Sequence, residues 1–149
     1  MSVKPQYSDK IFSGKKRYEF RRQKPKRRIR LVYVYESDPS KRIVGWFTVS
    51  KIISGSPNKI WEECGEVGGI EEEDFFQYCG DRKTIYAFQI EETFQFENPI
   101  VPSEVDPFFC PPQSFSYFDS RLMMNLIKGI QRDKSLDNSL IEFPNLMNL

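Results

Sequence analysis

The run Ile29-Arg30-Leu31-Val32-Tyr33-Val34-Tyr35 limits what this chain can become more than any other stretch. All but Arg30 are β-branched, aromatic or leucine, residues that fit a pleated and largely buried surface. Alternation places Leu31, Tyr33 and Tyr35 on one face. Ser37-Asp38-Pro39-Ser40 is turn chemistry. A second strand follows from Ile43 to about Ile53, in which Gly45 marks a bulge or a close backbone approach. Two strands joined so tightly pair antiparallel, which suits a meander or a barrel and not a parallel sheet.

The remaining elements read as follows. Val3 begins the sheet. Pro5 opens a helix whose Tyr7, Ile11 and Phe12 form one apolar side, and Gly14 closes it in the left-handed conformation. Ser56-Pro57 is an N-cap and first-turn proline for a helix through Trp61 that stops by Gly65. Gly68-Gly69 separates it from a second helix, about Glu71 to Cys79. The acidic cluster Glu71-Glu72-Glu73-Asp74 meets that helix's dipole in its first turn and does not converge as a carboxylate pair. Trp61 reads as a core anchor. Thr84 to about Phe96 is the last long strand, with Tyr86, Phe88 and Ile90 on one face. Five of the ten prolines lie between Pro99 and Pro112, so that segment is an irregular wrap. Ser120 caps a final helix bearing Leu122, Met123, Leu126, Ile127 and Ile130 as an apolar stripe, for core packing or a dimer contact.

Gly14 to Arg22 reads Gly-Lys-Lys-Arg-Tyr-Glu-Phe-Arg-Arg, five basic residues and one carboxylate. As a strand it puts Arg17, Glu19 and Arg21 on one face and Tyr18 and Phe20 on the other. The expectation is an apolar face for the core and a charged face looking outward, with Glu19 orienting the Arg21 guanidinium. Taken alone, these residues are either a solvated edge strand or a binding face. Gln23 to Arg28, broken by Pro25, is a basic connection that suits phosphate contact as well as solubility.

Gly14, Lys16, Glu19 and Arg21 also spell Gly-x-Lys-x-x-Glu-x-Arg, which resembles the signature of ASCH domains, a branch of the PUA-like superfamily. Ser2-Val3-Lys4-Pro5 and Pro111-Pro112-Gln113-Ser114-Phe115 agree with small members of that family, and the likeness spans about residues 1–118. It implies an α+β fold, a small antiparallel PUA-like β-barrel with flanking helices. A C-terminal helix and tail over 119–149 would be added, packing on the domain or on a second copy as a homodimer. It implies a cleft that binds RNA or other nucleic acid, with Lys16, Glu19, Arg21, Arg22, Gln113 and Ser114 lining it. Some relatives are small amidohydrolases acting on acetylated cytidine, or ribonucleases. In the amidohydrolases a lysine corresponding to Lys16 is catalytic, and a threonine stands where this chain has Glu19.

Composition narrows the chemistry. At 149 residues the chain suits one domain. Residues 1–30 hold twelve Lys and Arg against Asp9 and Glu19, a net +10, while the rest holds ten against 19 acidic residues, a net −9. Such a split points to a localised patch for an anionic partner. The chain has no histidine, which excludes Ser-His-Asp and Cys-His catalysis. Cys64, Cys79 and Cys110 form no CxxC pair, so a zinc site is not expected and no cofactor is implied. No apolar run reaches the roughly 20 residues that span a membrane. No signal peptide is read at the start, so the expectation is a cytoplasmic protein with reduced thiols.

Two functions stand. One is a binding module for RNA or single-stranded nucleic acid, with or without a modified base, with Lys16, Arg21, Arg22 and the 24–28 loop on phosphates. The other is a metal-independent hydrolase in the same cleft, with Lys16 as base and Glu19 as proton shuttle.

Overall fold

The computed structural model describes residues 1–117 and Asn125. In chain order the elements are β1 (Ser2–Val3), α1 (Pro5–Phe12), β2 (Tyr18–Arg21), β3 (Leu31–Glu36), β4 (Arg42–Gly55), α2 (Pro57–Cys64), a 3₁₀ turn (Gly65–Val67), α3 (Glu72–Cys79), β5 (Ile85–Ile100) and α4 (Pro102–Val105). The strands form one five-stranded sheet in the order β1-β3-β4-β5-β2.

The β3–β4 hairpin forms as the sequence predicts, and β4 extends it to the long β5, again antiparallel. The pairing slips between Ile43 and Gly45. A Cβ on Gly45 would collide with the Phe94 carbonyl and the Phe12 ring, so the glycine lets β5 and α1 close on this point. The all-antiparallel expectation fails at one edge, because β1 pairs parallel with β3, Ser2 opposite Tyr35. Helix α1 supplies the crossover that a parallel neighbour requires. The expected barrel is not confirmed: among the described residues the ladder is not closed, with β1 and β2 as its two edges. A side chain crosses between those edges where a closed barrel would carry backbone pairs, since Arg21 Nη2 donates to the Ser2 carbonyl at 2.9 Å.

Apolar residues bury both faces of the sheet. Val32, Val34, Phe47, Phe88 and Ile90 pack beneath Ile11 of α1. Tyr33, Tyr35, Ile43, Phe96 and Ile100 pack with Val105 of α4. Phe20, Ile85 and Ala87 meet Ile60 and Cys64 of α2 and Phe75 and Cys79 of α3. Burying a side chain the size of Phe47 or Phe88 contributes about 1.5–3 kcal/mol before chain entropy is counted. Local signals agree with these elements. Gly14 takes φ +76° after α1, and the Ser56 hydroxyl accepts from the Lys59 amide at the start of α2. Trp61 lies against Phe75, with ring centres 5.2 Å apart. The helix expected from Ser120, with its dimer contact, falls outside the described residues. No helix among the described residues is long and apolar enough to cross a membrane.

Candidate functional site

Strand β2 differs from its sequence reading on one point that decides the site. Of its expected charged face only Arg17 looks outward: Glu19 and Arg21 are each only 6% exposed, and Lys16, just before the strand, is 3% exposed. They are covered because β2 is an edge strand whose outer face is roofed by segments distant in sequence. Helix α1 arrives from one side, α3 and the 68–70 loop from another, and residues 111–113 from a third. Together these walls enclose a cleft of about 770 Å³ with the three charged side chains at its base.

The Glu19 carboxylate ties the group together. Its Oε1 accepts from Arg21 Nη2 at 2.7 Å, and its Oε2 lies 3.5 Å from Lys16 Nζ. Lys16 Nζ also donates to the Gly68 carbonyl at 2.7 Å. It stands over the rings of Phe20 and Tyr7, 4.8 and 5.4 Å from their centres. Burial pushes the Lys16 ammonium below its ordinary pKa, and the Glu19 charge works against that shift. Arg21 Nη2 is fully used by Glu19 and Ser2. The Nε of Arg21 is buried and has no hydrogen-bond partner among the described residues.

The loop before α3 makes room for this arrangement. Gly69 has φ +66°, and a Cβ there would come within 2.6 Å of Lys16 Cβ. At Gly68 an added Cβ would strike the Phe20 ring at 2.8 Å. The pair reads from sequence as a spacer between helices, whereas in the fold it admits the Lys16 stem. Lys10 Nζ pins the same loop through the Gly69 carbonyl at 3.0 Å.

Lys16, Glu19, Arg21 and Gln113 of the expected residues line the cleft. Arg22 is not among the lining residues; its exposed guanidinium is 5.0 Å from the centre of the ring of Tyr78, which is a wall residue. Ser114 is not among the lining residues; its carbonyl accepts from the Ser2 amide at 3.0 Å and so holds the 111–114 segment against β1. Residues 24–28 do not reach the cleft either. Tyr117 fixes that loop instead, accepting from the Lys26 amide at 2.8 Å with Arg27 over its ring at 5.1 Å. Sequence reasoning missed several wall residues: Tyr7, Asp38, Lys41, Asp74, Gln77 and Tyr78. Tyr7 had a signal of its own, since a phenol on an otherwise apolar helix face tends to find a polar neighbour. Burial raises the Tyr78 pKa and keeps the phenol protonated, and its hydroxyl donates to the Phe20 carbonyl at 3.2 Å.

An open α+β sheet with a buried Lys-Glu-Arg cluster under a mixed-charge cleft is thus what the Gly-x-Lys-x-x-Glu-x-Arg spacing builds. The chain belongs to the ASCH domain family, whose model matches residues 1–100. An ASCH domain-containing ribonuclease from Zymomonas mobilis is 26% identical over 134 residues, covering 85% of this chain and 88% of its own length. The crystal structure of ASCH from Zymomonas mobilis superposes with a TM-score of 0.80 at 26% identity, over 86% of this chain and 92% of that one. A serine-to-alanine mutant of the Zymomonas mobilis protein gives 0.81 at 25% identity, with the same two coverages.

Proposed function

We propose that this protein binds single-stranded RNA, with one nucleotide seated in the cleft above Lys16, Glu19 and Arg21. The observation that carries this reading is the buried cluster itself. Three charges are withdrawn from water at a cost that packing does not require, and Arg21 Nε is left without a hydrogen-bond partner among the described residues. Unpaired RNA supplies what such a base asks for: carbonyl oxygens and phosphates for Arg21 and Lys16, and amino groups for the Glu19 carboxylate. The aromatic walls, Tyr7 and Tyr78, offer faces against which a base can stack. The exposed Arg22 guanidinium, beside the wall residue Tyr78, supplies a phosphate contact that is salt-sensitive and blind to sequence.

A second reading is cleavage of the bound RNA, favoured by the relative named a ribonuclease and by the lowered pKa of Lys16. In that reaction the ribose 2′-oxygen forms a bond to phosphorus and the bond from phosphorus to the 5′-oxygen breaks. The 2′ proton passes to Lys16 Nζ, the 5′-oxygen takes a proton from water, and Arg21 steadies the phosphoryl oxygens.

Fluorescence anisotropy of a labelled ten-nucleotide uridine RNA across a salt series tests binding. With three to five phosphates contacted, log Kd should change with log salt by a slope of about 2 to 3.5. Absence of binding at low salt would overturn the reading. Gel analysis of the same mixtures reports cleavage, and product that persists undiminished in Lys16→Ala would rule out the catalytic role given to that lysine.

A further inference from the structure

Outside the buried cluster, the cleft's mouth carries a cation that the sequence reading did not single out. Lys41 lines the cleft from the β3–β4 connection. Its backbone has φ +52°, a conformation that favours glycine and that a lysine holds only under constraint. The turn around it is tied down: the Lys41 amide donates to the Ser37 carbonyl at 3.5 Å, and Arg42 Nη1 donates to the Lys41 carbonyl at 3.2 Å. The Ser37 amide in turn donates to Val3 at 2.9 Å, so this lip is joined to the end of β1. The side chain itself is open to exchange. Its ammonium is 3.0 Å from Asp38, with the two side chains 63% and 77% exposed, so an incoming anion meets little resistance in replacing that partner.

The direction of the strands places Lys41 relative to Arg22. β1 is parallel to β3, and the antiparallel steps to β4, β5 and β2 leave β2 running opposite to β1. The end of β1 that meets the Lys41 turn and the end of β2 that leads into Arg22 therefore lie at opposite ends of the two edges flanking the cleft. Lys41 lines the cleft and the exposed Arg22 stands beside its wall residue Tyr78, so each of the two edge strands leads to one exposed cation.

We infer that Lys41 is a second phosphate-binding residue of the cleft, taking one phosphate of a single RNA strand while Arg22 takes another on the far side of the seated nucleotide. This inference rests on the RNA reading above and adds the path of the strand and the residue that sets its second contact. A strand held at both ends is bound over at least two phosphates, so a lone nucleoside gains nothing from either cation. Asp38 occupies Lys41 when no strand is bound and is released on binding.

The test uses the uridine RNA salt series with Lys41→Gln, Lys41→Gly, Arg22→Gln and the Lys41→Gln/Arg22→Gln double variant. Each single change should lower the salt slope by about 0.7, and the double change by about 1.4, because the sites are separate. At 0.1 M salt one lost contact corresponds to about fivefold weaker binding. Lys41→Gly relieves the positive φ, so its thermal midpoint should match or exceed that of the parent while its slope still falls. A parent that binds RNA with an unchanged slope in both Lys41 variants would overturn this inference and leave the cleft reading intact. A parent that binds no RNA would overturn both.

Discussion

The two faces of β2 come from one four-residue strand and obey opposite rules. On one face Phe20 meets Phe75 edge to face, with ring centres 4.9 Å apart, in a pocket completed by Ile60, Cys64 and Cys79. On the other, Glu19 and Arg21 are as deeply buried as Phe20, yet surrounded by charge and hydrogen-bonding groups. The apolar face gains from leaving water. The charged face gains little or loses, because desolvating three ions offsets most of their mutual attraction. A fold that needed only stability would have filled both sides alike. The difference marks where this chain spends stability on something other than folding.

Phe75→Ala should break the comparison from the apolar side. The ring is fully buried and touches Phe20, Trp61 and Phe76. Its loss should cost about 3–5 kcal/mol in urea unfolding, with the RNA salt slope of the folded fraction unchanged. The triple variant Lys16→Met, Glu19→Leu, Arg21→Met attacks the other face. It should be neutral or up to about 4 kcal/mol more stable, and it should lose RNA binding. A triple variant that unfolds while Phe75→Ala stays intact would reverse the assignment of the two faces.

Smaller changes sharpen the contrast. Glu19→Gln leaves Lys16 and Arg21 without their shared counter-charge and should cost about 1–3 kcal/mol. Gly69→Ala should cost about 1–2 kcal/mol from its positive φ and from the crowding of Lys16, and should weaken RNA binding without any change of charge. The smallest effect is in pH. The Lys16 pKa is lowered in the folded protein, so below its ordinary value of 10.5 the unfolded chain holds that proton more tightly. Stability from this residue therefore rises as pH climbs toward 10.5. Urea midpoints of the parent and Lys16→Met between pH 7.5 and 10 should move in the parent's favour as pH increases. The tyrosines and cysteines whose pKa values burial raises act in the opposite direction, but equally in both proteins.

Much of the scaffold was legible because its signals are local. The β3–β4 hairpin, the Ser56 cap of α2, the Gly14 helix end and the tight approach at Gly45 each follow from a few neighbouring residues. The site was legible as a list and not as a place. A period of two says which side chains share a face, and so correctly grouped Glu19 with Arg21, but it carries no information about what covers that face. Here the cover comes from α1, the 68–70 loop, α3 and residues 111–113, brought together only by the finished fold. The parallel edge escaped for a related reason, since two residues of β1 are too few to show a pattern. Lys41 was hidden by its own turn, where a lysine after Ser-Asp-Pro-Ser reads as solvated and only the backbone angle sets it apart.

The bond from Arg21 to the Ser2 carbonyl has a mechanical consequence. Long antiparallel pairing joins β4 to β5, so a load along those strands must shear many backbone bonds at once. β1 is held to β3 over two residues, with its other side fastened by one guanidinium and the 112–114 segment. Pulled from its first residues, the molecule should unzip along that seam well before the central sheet yields. The floor of the cleft is then also the line along which this protein tears.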